Sequence, residues 1–137
     1  MDERRPADGP EDLDDRESAY ELLQRGTDLL RQRHFAQAAV VLERADRAEP
    51  GKASILEALG RALYNSGQHE RSRATFERVL ELDPSAHYAH FALGQSLKQL
   101  GRRDAARTHL KLAVALDPGS KIYRGALARL GPEPERG

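Results

Sequence analysis

The sequence predicts an all-α fold, a right-handed α-α superhelical solenoid of three helix-turn-helix repeats with a seventh, capping helix. The main observation is a period of 34 residues that occurs three times. Two sets of residues keep this spacing, three glycines and three prolines: Gly26, Gly60, Gly94, Pro50, Pro84 and Pro118. A repeat of this length indicates helical hairpins that stack, because each hairpin buries its apolar face only against its neighbours.

Each unit divides into two segments with the apolar spacing of amphipathic helices. In the central unit, Leu56, Leu59 and Leu63 share one face of the first helix. Phe76 and Val79 share one face of the second helix. The two faces are expected to pack against each other and against the neighbouring units.

Glycine and proline mark the ends of these helices. Gly67 and Gly101 suit the left-handed backbone that follows each first helix. Pro84 and Pro118 end the second helices, because proline disfavours helix in the residue before it. Small residues are also expected to face each other where the two helices of a unit cross, in the pairs Gly26–Ala38, Gly60–Ser72 and Gly94–Ala106.

These signals place the elements along the chain. Ser18, followed three residues later by Glu21, matches a capping box at the start of the first helix. The first six helices are predicted at about residues 18–33, 35–48, 53–66, 69–82, 86–100 and 103–116. The three repeats are accordingly residues 19–52, 53–86 and 87–120.

A seventh helix is predicted over residues 121–130, with Ser120 as its cap. The last repeat of an array leaves an apolar face bare, and this helix would cover that face. Its predicted inner face is Ile122, Ala126, Leu127 and Leu130, and its predicted outer face is Lys121, Arg124 and Arg129. Residues 18–131 would then form the folded domain, and residues 132–137 a loose C-terminal tail.

The first 17 residues are predicted to be a disordered, acidic tail. They contain eight acidic residues and three arginines, so they carry −5 and the other 120 residues carry +5. Segments with much charge and few apolar residues cannot bury enough surface to fold. Two roles are open: a solubilising tail, or a salt-sensitive competitor for the protein's own binding surface.

Composition excludes several classes of protein. The basic residues are scattered through every helix, which argues against a nucleic-acid-binding face. The chain has no cysteine, so disulfides and thiolate chemistry are excluded. It has no apolar run of about 20 residues that could cross a bilayer, and its N-terminus lacks the apolar core of a signal peptide. These features predict a cytoplasmic protein, and the richness in Arg and Ala fits a bacterial genome.

No motif for catalysis or for a cofactor is found: the chain has no phosphate-binding loop, nucleophile elbow or paired-histidine zinc motif. The best metal candidate is His87 with His90, three residues apart on one helical face, but zinc needs at least a third ligand. The alternative is that His90 packs between helices while His87 is exposed. The remaining histidines are expected on turns or on the surface: His34, His69 and His109.

The repeated residues resemble the signature of the tetratricopeptide repeat family. In the central unit the matching residues are Leu56, Leu59, Gly60, Leu63, Ser72, Phe76 and Pro84. The other two units match in register, with Arg25 and His90 as departures, so the resemblance covers about residues 19–131. It implies protein binding without enzymatic activity, in a concave groove lined by the first helix of each unit.

By register, the resemblance implies that thirteen residues line this groove: Tyr20, Leu23, Gln24, Thr27, Arg31, Glu57, Arg61, Tyr64, Asn65, Tyr88, Phe91, Gln95 and Lys98. They include four of the seven Tyr and Phe residues of the chain, and interface cores favour such residues. Alternatively, Tyr88 and Phe91 pack adjacent repeats. Family members that clamp a chaperone's C-terminal carboxylate use Lys, Asn and Arg, which are absent from the corresponding positions Leu23, Thr27, Ala58, Tyr88 and Ala92.

The sequence therefore predicts an adaptor, scaffold or small assembly factor that is not an enzyme and needs no cofactor or metal. Its expected partner is a protein or peptide, neutral to acidic in charge, and not nucleic acid or membrane. Two alternatives remain open: a structural homo-oligomer that uses the groove residues, and a metal-binding or enzymatic protein that uses His87 and His90.

Overall fold

The computed structural model describes residues 17–134, which form seven α-helices and no strand. The helices are α1 Ala19–Arg31, α2 Phe35–Ala48, α3 Ala53–Asn65, α4 His69–Leu82, α5 His87–Gln99, α6 Arg103–Leu116 and α7 Lys121–Leu130. The predicted all-α repeat fold is confirmed, and every helix begins and ends within two residues of its predicted bounds. Apart from Glu17, the predicted acidic tail lies outside the described residues, as do residues 135–137.

Two serines cap helices at the predicted positions. The Ser18 Oγ accepts a hydrogen bond from the N–H of Glu21 at 3.1 Å, and the Glu21 carboxylate accepts one from the N–H of Ser18 at 3.0 Å. The Ser120 Oγ accepts from the N–H of Tyr123 at 3.1 Å. These bonds satisfy N–H groups that have no partner within a helix, so they fix where α1 and α7 begin.

Residues with left-handed backbone turn the chain between the two helices of each unit. Gly67 has φ +83° and Gly101 has φ +79°, as their positions predict. The first unit has Arg33 at the equivalent position, with φ 65°. The guanidinium of Arg33 lies 5.3 Å from the centroid of the Phe35 ring. Left-handed backbone is unfavourable for a residue with a Cβ, so this is the strained turn of the three.

The two helices of each unit approach closely at a glycine. A Cβ added there would lie 2.5–2.8 Å from a large side chain of the second helix, in the pairs Gly26–Leu42, Gly60–Phe76 and Gly94–Leu110. The predicted small residues also lie at the crossing in two units. The Ser72 Oγ donates to the Gly60 carbonyl oxygen at 3.1 Å, and the Ala106 carbonyl oxygen is 3.2 Å from a Cβ added at Gly94. The large side chains were not predicted there: helical side chains lean toward the helix N-terminus, so Phe76 covers the turn that contains Ser72.

The units stack through both kinds of helix. Each second helix packs on the first helix of its own unit and on the first helix that follows. The first helices also contact one another, α1 with α3, α3 with α5 and α5 with α7. A stack curves toward the helices that touch, so α1, α3 and α5 form its inner face. Across residues 17–134, no helix has the length and apolar character needed to cross a membrane.

Helix α7 covers the end of the stack with three of the four residues of its predicted inner face, Ala126, Leu127 and Leu130. Its buried residues are Tyr123, Ala126 and Leu130. Leu127 is half-buried, whereas Ile122 is 66% exposed, so the prediction for Ile122 is wrong. The physical reason is register: Ile122 follows Tyr20 by three periods and Tyr88 by one, and both of those residues lie on the inner face. The predicted outer residues Lys121, Arg124 and Arg129 are exposed.

Two arginines of α6 bind the C-terminal end of α7. Arg107 is buried, and its Nη1 donates to the Gly131 carbonyl oxygen at 2.6 Å while its Nη2 donates to that of Pro132 at 3.3 Å. Arg103 donates to the Leu130 carbonyl oxygen. The last carbonyls of a helix lack partners and carry partial negative charge, so the two guanidinium groups hold α7 in place.

Candidate binding groove

Three depressions follow one another along the inner face and form one groove. The first, of about 410 Å³, is lined by Tyr20, Leu23, Gln24, Thr27, Asp28 and Arg31. The second, of about 580 Å³, is lined by Leu23, Thr27, Ser54, Glu57, Ala58, Arg61 and Tyr88. The third, of about 210 Å³, is the α3–α5 pocket, lined by Arg61, Tyr64, Asn65, Phe76, Tyr88, Phe91, Ala92 and Gln95. Neighbouring depressions share residues, so the groove is continuous.

Twelve of the thirteen residues expected at the groove border one of these depressions, and Lys98 borders none of them. Five other residues also line the groove: Asp28, Ser54, Ala58, Phe76 and Ala92. Ser54 has the register of Tyr20 and Tyr88, so the 34-residue period could have identified it. Phe76 could not be found this way, because it belongs to a second helix and reaches the groove past Gly60.

Aromatic rings form a row from the α3–α5 pocket to α7. The ring centroids are 6.1 Å apart for Phe76 and Tyr88, 6.1 Å for Tyr88 and Phe91, and 5.0 Å for Phe91 and Tyr123. Phe76 and Tyr123 are buried, while Tyr88 and Phe91 are half-buried. Burial raises the pKa of the Tyr88 hydroxyl above its ordinary value. The row therefore packs adjacent repeats and also presents ring surface to the groove.

The charges that line the groove are balanced. Arg31 forms an ion pair with Asp28 in the first depression. Glu57 and Arg61 are four residues apart on α3, which places them on the same helical face. Within residues 17–134, Arg61 forms no ion pair. Two cations and two anions thus line the three depressions.

The amide side chains of the groove differ in how they are bonded. The Gln24 Nε2 donates to the Tyr20 Oη at 2.8 Å, and the Asn65 Nδ2 donates to the Arg61 carbonyl oxygen at 2.8 Å. The Gln95 Oε1 is buried and has no hydrogen-bond partner in the described part of the chain. A buried acceptor without a donor is unfavourable, so a bound group that donates to this oxygen would be favoured.

The histidines of α5 have separate partners. The His90 Nε2 lies 2.8 Å from the Pro84 carbonyl oxygen, to which it donates. The His90 Nδ1 then accepts a hydrogen bond from the His109 Nδ1, 3.0 Å away. The His87 Nδ1 lies 2.9 Å from the Tyr123 Oη. No group of three or more His, Cys, Asp or Glu side chains that could hold a metal ion occurs among residues 17–134.

The His90 and His109 rings stack with their centroids 5.3 Å apart, so His109 is a contact between α5 and α6 and not the turn or surface residue expected. Partial burial, and secondarily the neighbouring His90, lower the pKa of His109. The nearby Glu77 opposes this change. The sequence offered no signal for the pair, because the two histidines are brought together only by the crossing of the helices.

A family model described as tetratricopeptide repeat matches residues 23–74 and, in an overlapping match, residues 57–121. Together the two matches cover residues 23–121, which is more than half of the chain. No curated protein sequence matches the chain.

Several solved structures share the fold at low sequence identity. MamA 41-end from Desulfovibrio magneticus RS-1 has a TM-score of 0.79 and 20% identity, over 82% of this chain and 64% of that chain. The first TPR domain of Spaghetti (RPAP3), bound to an HSP90 peptide, has a TM-score of 0.78 and 15% identity, over 82% and 90% of the two chains. YrrB, described as a TPR protein with an unusual peptide-binding site, has a TM-score of 0.77 and 23% identity, over 80% and 57%.

The protein therefore spans less than two thirds of the MamA and YrrB chains that it matches. The likeness to the solved structures extends over the repeats and shows the fold. Since the family model matches most of the same residues, the chain belongs to the tetratricopeptide repeat family.

Proposed function

We propose that the protein is a non-enzymatic interaction module whose groove holds a peptide or a segment of a protein partner. It would act as an adaptor, a scaffold or a small assembly factor in the cytoplasm. The family is one of protein-interaction repeats, and two structures of the same fold are described as peptide-bound or peptide-binding. Both facts support the proposal.

The observation that carries the proposal is the continuity of the groove along the three inner helices. Its surface combines ring surface from Tyr88 and Phe91 with exposed polar side chains, which is the composition of interface cores with polar rims. The α3–α5 pocket adds an arginine without an ion pair among the described residues, Arg61. Together these features favour a neutral to acidic protein segment as the partner.

The proposal is tested by comparing the partners captured by two double variants with those captured by the native protein. Tyr20→Ser with Arg61→Glu alters two groove residues. Val40→Ser with Arg47→Glu makes similar changes at exposed residues of α2, a second helix. We expect proteins from a lysate of the source organism that bind the native chain and the α2 variant, but not the groove variant. Equal capture by both variants would exclude the groove as the binding surface.

The first alternative is a structural homo-oligomer formed through the same groove. Tyr20 and Ile122 are large apolar side chains, 67% and 66% exposed, in the first helix and the last. Analytical ultracentrifugation over a wide range of concentrations separates the two functions. A mass that rises with concentration in the native chain, but not in the groove variant, would favour self-association.

The second alternative is a metal-binding or enzymatic protein that uses His87 and His90. A thermal melt with added Zn²⁺ and then with a chelator decides it. Because the two side chains have separate partners, we expect no change in melting temperature. A metal-dependent rise that is lost in His87→Ala would favour the alternative.

A further inference from the structure

We infer that the α3–α5 pocket is an anchor site for one aromatic side chain that carries a hydrogen-bond donor, tryptophan or tyrosine, beside an acidic residue of the same partner segment. The inference rests on the proposed function and specifies the chemistry that the groove recognises. It is carried by the shape of the pocket, by one buried acceptor and by one arginine.

The walls of the pocket suit a flat ring. Phe76 enters the space where Gly60 has no Cβ, and its buried ring forms part of the lining. Tyr88 and Phe91 of α5 add two further ring surfaces. Aromatic rings prefer offset or edge-to-face neighbours, and a ring inserted among these three finds both kinds of contact.

The size of the pocket selects a single side chain. Its volume is about 210 Å³, whereas pockets for small molecules and cofactors span about 300–1,000 Å³. The pocket opens into the larger second depression, because Arg61 and Tyr88 line both. A partner segment can therefore place one side chain in the pocket while its backbone continues along the groove.

The Gln95 Oε1 would distinguish an aromatic side chain that has a hydrogen-bond donor from one that has none. Gln95 lines the pocket, and its Oε1 is closed to solvent and has no partner among residues 17–134, so the side-chain amide must turn to present this oxygen to a bound ring. An indole N–H or a phenol O–H can donate to it, whereas phenylalanine and leucine would leave it unsatisfied. A site with a buried polar group discriminates strongly against ligands that lack the complementary group.

Arg61 sets the charge of the residue next to the anchor. Arg61 lines the pocket and has no ion pair in the described part of the chain, so an acidic side chain beside the aromatic one would complement its charge. Glu57, one helical turn before Arg61, lines the second depression. The acidic residue is therefore expected beside the pocket and not farther toward α1.

Short capped peptides test the inference directly. The probe is acetyl-Ser-Asp-Trp-Ser-amide, with one analogue carrying Phe for Trp and another carrying Lys for Asp. The protein has no tryptophan, so peptide fluorescence is excited selectively and reports binding. The Phe analogue is measured by competition. We expect the Trp peptide to bind about fivefold tighter than the Phe analogue, as loss of one buried hydrogen bond predicts.

Matched variants locate the two recognition elements. Gln95→Leu should bring the Trp peptide to the affinity of the Phe analogue, with Gln95→Met as a second variant, while Gln37→Leu, at an exposed position of α2, should change nothing. Arg61→Gln should remove the preference for Asp over Lys, while Arg47→Gln, also exposed on α2, should retain it. Circular dichroism and denaturant midpoints establish that each variant is folded.

Two results would overturn the anchor site: equal affinity for the Trp and Phe peptides, or an unchanged Trp preference in folded Gln95→Leu. Absence of binding by the Trp peptide at millimolar concentration would also overturn it. None of these results bears on the proposed function. That function is tested separately, by comparing the partners that the groove double variant and the α2 double variant capture.

Discussion

At the scale of single residues, Arg33 shows how the repeat imposes a backbone on a residue that does not favour it. It stands where the other two units have glycine, and it adopts the same left-handed backbone. The 34-residue period could have predicted this backbone from Gly67 and Gly101. The sequence at Arg33 itself gives no such indication.

Replacing Arg33 with glycine should therefore stabilise the protein. Left-handed backbone costs about 1–2 kcal/mol for a residue with a Cβ, and losing the stacking of Arg33 on Phe35 costs about 0.5–1 kcal/mol at an exposed site. We expect a net gain of about 0.5 kcal/mol in the free energy of unfolding, measured by urea denaturation. The reverse change, Gly67→Arg, should destabilise by about 1 kcal/mol, and a neutral result for it would contradict the argument.

Gly60 tests the close approach of α3 and α4. In Gly60→Ala the new Cβ would lie 2.6 Å from the Phe76 ring, so the ring or the helix must move. Overpacking of this kind costs about 1–3 kcal/mol. The control is Gly119→Ala, where the nearest atom is 3.9 Å from the added Cβ. If both variants had the same denaturant midpoint, the close approach of Gly60 to the Phe76 ring would be contradicted.

At the scale of elements, the helix bounds follow from the sequence, but the contacts at their ends do not. The period, the capping serines and the glycines and prolines are local signals, and they place every helix to within two residues. Extending the register to α7 would also have identified Tyr123 as buried, because Ile55 and Ala89 precede it by whole periods and are buried. A purely amphipathic reading of α7 selects Ile122 instead.

The contacts of Arg107 and of the His90–His109 pair depend on how helices cross, which local signals do not encode.

The end of α7 depends on the forked donors of Arg107. Lysine at this position cannot donate to two carbonyls in the same geometry. We expect Arg107→Lys to lower the free energy of unfolding by about 1–3 kcal/mol, because hydrogen bonds from a charged donor to the Gly131 and Pro132 carbonyl oxygens are lost. Arg47→Lys, at an exposed position of α2, should stay within about 0.5 kcal/mol. Similar losses in the two variants would contradict the role of Arg107 in holding the cap.

The histidine pair should make the contact between α5 and α6 sensitive to pH. Because the pKa of His109 is lowered from 6.5 in the folded protein, the unfolded chain binds more protons as the pH falls through this range. The free energy of unfolding therefore keeps its full value above about pH 6.5, where His109 is neutral in both states. It decreases as the pH falls from there toward the pKa of His109 in the folded protein. Unfolding free energies between pH 7.5 and 5 should decrease less steeply in His109→Leu than in the native chain. The exposed His34→Leu serves as the control, and an unchanged slope in His109→Leu would exclude the effect.

At the scale of the whole molecule, stacking converts a one-dimensional repeat into a continuous surface. Residues one period apart lie side by side on the inner helices, which is why the register brought twelve of the expected residues to the groove. One property of that surface was not predictable, because Phe76 enters from a second helix. Asp28 and Arg31 are three residues apart on α1 and form an ion pair, so the groove is closer to neutral than its arginines alone suggest.

The most direct test of the groove as the binding surface is hydrogen exchange of the complex with a captured partner segment. Amide exchange is compared residue by residue in the free and bound protein. We predict that amide exchange in the complex is slower along α1, α3 and α5, and that the slowing is largest near Arg61, Tyr88 and Gln95. The outer face, represented by Val40 and Leu112, should be unchanged. Protection confined to the outer face, with free exchange along the groove, would contradict the proposed function.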